Sequence, residues 1–354
     1  MTINHKFFLN LAFQIAERNL GKTGQNPSVG SIVVKNDTVI SSGVTSINGR
    51  PHAEFNALNK VKNTAGSTLY TTLEPCIHRG KTPPCTNIII KKKIRNVFFG
   101  LEDPDLRTFK KAKKILSSKG IVTKLIRSKK YDNFYRSYLI NKKFNIPFIS
   151  AKIAMSKDNL TINKKDKWIT NTFSRKIVHL IRSKHDGIIS TSKSINYDNA
   201  LLNCRIEGLN KFKPDLFIID LNLKLKKNLL LNKILKKRKT YLITYKTNIK
   251  KAQIFKRKGY KIIFINSLVG KDDFNLLFKK IYQMGYSRIL VEAGLTFLNS
   301  FLKYRLINDL YIFKTNYNLK KNGKNNATLK YLKSNLFKLI SIKLNNDKLY
   351  KREF

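Results

Sequence analysis

His52-Ala53-Glu54, followed by Thr72-Leu73-Glu74-Pro75-Cys76-Ile77-His78-Arg79-Gly80-Lys81-Thr82-Pro83-Pro84-Cys85, is the stretch that decides how the first half of this chain folds. One histidine and two cysteines, each cysteine behind a proline, form a metal-ligand pattern. Zinc takes imidazole nitrogen and thiolate sulfur in a tetrahedral shell. Three protein ligands leave the fourth position for water, the layout of a catalytic rather than a structural site. Water bound there becomes a nucleophile near neutral pH. Glu54, two residues past the histidine and at the start of a predicted helix, is placed to move that water's proton to a leaving amine. Cys76 is expected to end a strand, and Cys85 to open a helix whose N-terminal dipole favours a thiolate.

A lone His-x-Glu is weak evidence, and buried cysteines are ordinarily small core residues. The two Pro-Cys pairs carry the metal reading, because the chain has three cysteines in all. The third, Cys204, has no comparable setting and reads as structural. Three cysteines cannot form a disulfide framework, which points to a reducing, cytoplasmic setting. The spacing separates types of deaminase. Those acting on nucleic acids carry Pro-Cys-x-x-Cys, whereas eight residues lie between Cys76 and Cys85 here. They make a basic loop suited to a small anionic substrate.

Working outward, the first half alternates helices and strands, an α/β layer pattern. Helices are predicted near 5–19, 53–61, 110–118 and 131–143, with another from Pro83-Pro84 through Ile90. Strands are predicted at 31–35, 39–44, 67–73, 96–100 and 121–126, the first two joined at Asn36-Asp37 as a hairpin. Pro147 restricts its predecessor and breaks any helix there, so domains of 1–146 and 147–354 are expected. The second half predicts strands at 148–154, 187–191, 215–220, 240–245, 261–265, 288–291 and 309–313, and helices at 174–182, 273–284 and 296–304.

A length of 354 residues suits two cores, and 42% hydrophobic content argues for packed domains. The net charge of +50, from 71 Lys plus Arg against 21 Asp plus Glu, allows nucleic-acid binding. Because Lys, Asn and Ile recur everywhere, we read most of it as compositional bias and solvated faces. Such a field still attracts phosphorylated small molecules. No stretch approaches the roughly 20 apolar residues of a membrane span.

Asn26-Pro27-Ser28-Val29-Gly30, His52-Ala53-Glu54 and the Thr72–Cys85 segment together resemble the RibD family of bifunctional riboflavin-biosynthesis enzymes. The resemblance implies a cytidine-deaminase-like three-layer α/β/α domain followed by a dihydrofolate-reductase-like α/β domain. It also implies Zn2+ and NADPH as cofactors. The first domain would hydrolytically deaminate 2,5-diamino-6-(ribosylamino)pyrimidin-4-one 5'-phosphate. The second would reduce the ribosyl group to ribityl. By the same resemblance Asn26, His78 and Lys81 hold the deaminase substrate. Lys152–Asp158, Trp168-Ile169-Thr170, His179–Arg182, Asp198–Leu202 with Arg205, and Val291–Gly294 match pieces of the reductase. These imply a cofactor site of Ala154, Trp168, Ser194, Asp198, Leu221, Gly294 and Thr296. They imply a substrate site of Asp166, Arg182, Leu202, Arg205 and Glu292. Two arginines can grip a phosphate bidentately, and Gly294 opens a helix whose amides can meet a cofactor phosphate.

The sequence departs from the family at several points. Thr45 stands where the family has a histidine, and the loop after Asp103-Pro104 lacks glycine. Asn199-Ala200 replaces Asp-Pro, and Leu221 replaces a serine. Two alternatives stay open: a chain in which only the deaminase step works, and a tRNA-type deaminase that uses the charge. A homo-oligomer is also compatible with the sequence.

Overall fold

The computed structural model describes residues 4–209, 214–326 and 337–354, which divide into two compact units, Met1–Asn145 and Ile146–Phe354. In the first, helix α1 (His5–Glu17) starts where the Asn4 side chain accepts the Phe7 amide, and it buries Phe8, Leu9, Ala12 and Phe13. Strands β1 (Gly30–Lys35) and β2 (Thr38–Val44) form an antiparallel hairpin. Asn36 and Asp37 both adopt positive φ in its turn, the conformation a two-residue hairpin loop demands. Helix α2 (Ala53–Leu58) follows, then β3 (Thr68–Thr71), α3 (Cys85–Lys91), β4 (Asn96–Phe99), α4 (Ala112–Ser117), β5 (Val122–Leu125) and α5 (Lys129–Phe144). The sheet order is β2-β1-β3-β4-β5, with β3, β4 and β5 parallel.

Side chains alternate across this sheet with period two. Ile32, Val34, Tyr70 and Phe98 join Phe8, Phe13, Tyr131 and Tyr135 of α1 and α5 on one face. Val33, Leu69 and Val97 meet Ala57, Leu58, Ile89 and Leu116 of α2, α3 and α4 on the other. The result is the expected three-layer α/β/α unit. Its helix α2 lies so close to β2 that a Cβ on Gly43 would sit 2.3 Å from the Ala53 carbonyl oxygen and 2.4 Å from the Ala57 nitrogen. Helix α2 is shorter than the predicted 53–61, ending at Leu58.

The unit closes at Asn145, whose left-handed conformation caps α5, and Pro147 then leads into β6 (Phe148–Met155). The second unit continues through β7 (Leu160–Asn163), α6 (Thr172–Ser183), β8 (Gly187–Thr191), α7 (Ser192–Asp198), β9 (Asp215–Ile219), β10 (Thr240–Tyr245), α8 (Ile249–Arg257) and β11 (Lys261–Ile265). It ends with α9 (Lys271–Gln283), β12 (Arg288–Val291), α10 (Leu295–Lys303), β13 (Asp309–Lys314), β14 (Gly323–Asn326), β15 (Lys338–Leu344) and β16 (Asp347–Glu353). Nine strands form one sheet in the order β11-β10-β9-β8-β12-β6-β13-β16-β15, parallel except at the β13, β16, β15 end. Phe274, Phe278, Leu298 and Phe301 of α9 and α10 cover one face, and Val178, Ile181 and Ile195 of α6 and α7 cover the other. The C-terminal ends of β8, β12 and β6 lie side by side, the edge at which open parallel sheets bind ligands.

Left-handed turns here are often made without glycine. Lys93 ends α3 and Arg305 ends α10 at φ 51° and 54°. The amides of Ile94 and Leu306 each reach back to a carbonyl five residues earlier, the bonding of a glycine-type helix stop. No helix among the described residues is long and apolar enough to cross a membrane.

Candidate active sites

In the first unit His52 is the N-cap of α2, in extended backbone, which turns its ring back toward the start of α3. Its Nδ1 lies 3.3 Å from Cys85 Sγ and 3.6 Å from Cys76 Sγ, and the three donor atoms all fall within 4.8 Å of one another. Tetrahedral zinc at ordinary N and S bond lengths needs donor separations of about 3.5–3.8 Å, so one imidazole and two cysteines in this arrangement suit the ion. Cys85 opens α3 as expected, and its amide donates to Cys76 Sγ at 3.3 Å. Cys76 does not end a strand. Strand β3 stops at Thr71, and Cys76 lies in the irregular segment beyond it, where Pro75 has no N–H for a ladder. Hydrogen bonding from Cys85, then from His52, pulls the Cys76 thiol down to about 4 against the effect of burial, while Cys85 moves up as the partner that keeps the proton.

Glu54, in the first turn of α2, is 4% exposed, and burial pushes its carboxyl up to about 7. A carboxyl that gains and loses a proton near neutrality is suited to general acid–base work.

The surroundings hold the Cys-to-Cys loop. Arg50 Nη1 donates to Thr82 Oγ1 at 2.5 Å and lies 3.2 Å from His52 Nε2. His78 Nδ1 is 3.1 Å from Thr108 Oγ1. Asn26 donates to the Gly49 carbonyl at 3.1 Å, and Lys81 is exposed. Thr45 is buried, with its hydroxyl on the Val29 amide at 2.9 Å, so it ties backbone together rather than facing a ligand. The glycine-free loop after Asp103 is shaped by Glu74, whose buried carboxylate accepts the amides of Asp103, Lys110 and Ala112 at 3.0–3.1 Å.

In the second unit Glu292 follows β12 and is 8% exposed. Arg182 of α6 clasps it through Nε at 2.6 Å and Nη2 at 2.9 Å. Burial alone would raise the Glu292 carboxyl, but Arg182 outweighs it and the net shift is downward. Lys152 of β6 stands 4.0 Å away, and burial lowers its ammonium below the usual lysine value. His179, one turn before Arg182, places Nδ1 2.9 Å from the Asn203 carbonyl oxygen. Burial, then the charges of Arg182 and Arg205, depresses its ring to about 4, so it is neutral at pH 7. Arg182 Nη1 also donates to Asn203 O, and Arg205 Nη1 donates to Asn203 Oδ1 at 3.0 Å. Arg182, Arg205 and Glu292 are thus brought together. One edge of Arg182, however, is already occupied by a carboxylate.

Of the residues expected at the cofactor, Ser194 and Gly294 meet beyond the ends of β8 and β12. Gly294 is the N-cap of α10, and its amide donates to Ser194 Oγ at 3.0 Å. A Cβ there would meet only that hydroxyl, at 3.6 Å, so the space above Gly294 is open. Thr296 is exposed in the first turn of α10, and Asp198 is exposed at the end of α7. Trp168 is 47% exposed, with the Arg175 guanidinium 4.7 Å from its ring centroid, and Asp166 caps its amide. Ala154 is half-buried on β6, two residues from Lys152 and so on the same face. The Leu221 carbonyl accepts from Thr244 and Asn248. An open glycine at a helix N-terminus, a neighbouring hydroxyl and an exposed flat ring suit a phosphate-bearing nicotinamide cofactor.

Sequence reasoning missed Lys152, His179, Arg50 and Glu74. For Lys152 one signal was present: a charged residue within an otherwise apolar strand.

An α/β/α unit with a His-Cys-Cys metal-ligand cluster, ahead of a parallel-sheet unit with a cluster of basic residues around Glu292, defines a class, the two-domain deaminase–reductases. Residues 2–101 match the model of the cytidine and deoxycytidylate deaminase zinc-binding region, and residues 147–315 match that of the RibD C-terminal domain. The riboflavin biosynthesis protein RibD of Aquifex aeolicus is 31% identical over 319 residues, covering 87% of this chain and 86% of that protein. That of Buchnera aphidicola subsp. Baizongia pistaciae is 33% identical over 329 residues, with 87% and 86% covered. The chain belongs to the RibD family. A solved structure of Acinetobacter baumannii RibD superposes with a TM-score of 0.84 at 26% identity, over 99% of this chain and 98% of that one. A diaminohydroxyphosphoribosylaminopyrimidine deaminase/5-amino-6-(5-phosphoribosylamino)uracil reductase from Thermotoga maritima shares the fold, at TM-score 0.78 and 22% identity over 99% of both chains.

Proposed function

We propose that each unit carries one of two consecutive steps on a phosphorylated ribosylaminopyrimidine, and that the side chains described above perform them. The observation that carries the reading is the triad of His52, Cys76 and Cys85 with the buried Glu54 beside it. His52, Cys76 and Cys85 would hold zinc, which when bound supplies an activated water. Glu54 takes one proton of that water as its oxygen adds to the amino-bearing ring carbon. It delivers that proton to the departing nitrogen, so that ammonia leaves, and the remaining hydroxyl proton passes to the adjacent ring nitrogen as the ring carbonyl forms. His78, Lys81 and Asn26 hold the ring and its phosphate from the loops around the metal.

In the second unit Ala154, Trp168, Ser194, Asp198, Leu221, Gly294 and Thr296 would hold NADPH against the sugar, where the cofactor would supply a hydride. The hydride goes to the ribosyl C1', the bond from C1' to the ring oxygen opens, and that oxygen takes a proton. Lys152, an ammonium with a lowered pKa beside Glu292, is the group placed to give it. Arg182 and Arg205 hold the 5'-phosphate, Leu202 and Asp166 flank the sugar, and Glu292 orients a hydroxyl while keeping Arg182 in place. Positioning donor and acceptor supplies much of the acceleration. The cluster of buried Glu292 with half-buried Lys152 and Arg182 supports a working reductase over a chain that retains deamination alone. Burying such charges is unfavourable unless they serve one another or a ligand. The three free cysteines support a cytoplasmic setting.

The test supplies the diaminopyrimidinone ribosyl-phosphate with NADPH, then the deaminated compound with NADPH, and follows ammonia and NADPH. Both signals are expected from the parent. Glu54→Gln should lose ammonia release by about 10²–10⁴-fold, keep its zinc, and still oxidise NADPH on the deaminated compound. Zinc-loaded parent protein giving neither signal would overturn the reading.

A further inference from the structure

We propose that Arg238 is a positioning residue for the reductase, holding the segment that presents Arg205 to the substrate phosphate. The proposal rests on the reading of Arg182 and Arg205 as phosphate ligands.

Arg238 lies between the 3-10 helix Leu230–Lys237 and strand β10, and it is 6% exposed. A buried guanidinium normally meets a carboxylate. This one spends its donors on backbone carbonyls instead. Nη1 donates to Leu202 O at 2.7 Å and to Pro214 O at 3.2 Å, and Nη2 donates to Leu201 O. Its Nε finds no acceptor among the described residues. Two consecutive carbonyls are therefore gripped by the two arms of one planar fork, a geometry lysine cannot reproduce.

The gripped segment needs holding. Residues 199–205 carry no helix or strand. Asn199 and Leu202 take positive φ, 47° and 49°. For leucine this conformation is unfavourable and persists only where surroundings impose it. The next carbonyl, that of Asn203, is taken from the other side by Arg182 and His179, and the Asn203 side chain receives Arg205. Arg238 thus fixes the start of a short irregular segment whose far end carries the arginine aimed at the phosphate. Its positive charge adds to the field of Arg182 and Arg205, which among the described residues Glu292 offsets by direct contact.

A merely structural arginine and a positioning one differ in what their loss does to kinetics. The experiment uses the full chain, the deaminated phosphorylated substrate and NADPH, with Arg238→Lys, Arg238→Met and Arg205→Gln measured in parallel. Ammonia release by the first unit and the thermal midpoint of the second serve as folding controls. For Arg238→Lys we expect KM for the phosphorylated substrate to rise about 10-fold, with kcat and the KM for NADPH within twofold of the parent. Competitive inhibition by inorganic phosphate should weaken in proportion. Arg238→Met should rise further if it remains folded.

Three results overturn the proposal. An unchanged substrate KM in folded Arg238→Lys, while Arg205→Gln raises it, removes Arg238 alone. An equal fall in kcat and in NADPH affinity makes Arg238 a stabilising residue only. An unchanged KM in Arg205→Gln shows that the phosphate reading itself has failed, and the role of Arg238 fails with it.

Discussion

Asp103 is an acid kept where water scarcely reaches, 6% exposed, with a single oxygen accepting both the Asp105 amide and the Tyr138 hydroxyl. Burial pushes its carboxyl up to about 6, against about 4 in an unfolded chain. The folded state therefore holds the proton more tightly. That contribution to stability is complete below about pH 4 and is lost as pH rises to about 6, up to roughly 2–3 kcal/mol in all. Asp103→Asn keeps the accepting oxygen and removes the ionisation. Over pH 4–7 the thermal midpoint of the variant's first unit should gain on the parent's as pH rises. Parallel curves for the two proteins would sink this account. At the same scale, the metal triad was legible because cysteine is scarce here and each stands behind proline. Lys152 and Arg238 were not, because lysine and arginine make up 71 of 354 residues. For Lys152 the apolar strand around it was a faint signal, and the sheet, which brings β6 beside β12, is what sets it apart from the solvated majority.

Elements place these residues, and α2 is the most exacting of them. Six residues cannot sustain a helix alone, so α2 stands because it lies on β2 with backbone touching backbone at Gly43. Gly43→Ala must push α2 off the hairpin by more than a side chain can absorb. We expect a loss of at least 1–3 kcal/mol, weaker zinc retention in a chelator competition, and deamination reduced in parallel. NADPH oxidation on the deaminated compound should be unchanged. Full zinc affinity in the variant would show that α2 tolerates the shift. The buried parallel strands were readable as short apolar runs, which is how strands covered on both faces appear. Strands β15 and β16 were not, since they form an antiparallel edge rich in lysine, and charge at an edge hides alternation while it blocks aggregation. The helix ends before Lys93 and Arg305 were legible without a glycine to mark them: the predicted ends, Ile90 and Tyr304, lie within one residue of the observed Lys91 and Lys303.

At the scale of the whole molecule, each unit has its own core and its own chemistry. A chelator that strips zinc should abolish ammonia release and leave NADPH oxidation on the deaminated compound intact, within about twofold. Loss of both would mean that the second unit depends on the metal of the first. The charge of +50 should also appear in kinetics. Surface fields act on anionic substrates over a Debye length of about 10 Å at 0.1 M salt. Raising salt from about 0.05 to 0.5 M should therefore lower kcat/KM for the phosphorylated substrate in both steps more than it lowers kcat. A flat salt profile would mark the charge as bystander composition. The boundary expected after residue 146 rests on Pro147, which restricts the backbone before it; the compact units meet at Asn145 and Ile146.

The backbone passes from one unit to the other without a break at Asn145 and Ile146. Every ribosome that completes this chain therefore releases one copy of the producer of an intermediate together with one copy of its consumer. Their ratio is settled at translation. Fluctuations in expression raise or lower the throughput of the pair but cannot unbalance it, and the deaminated intermediate does not accumulate for want of a partner made elsewhere.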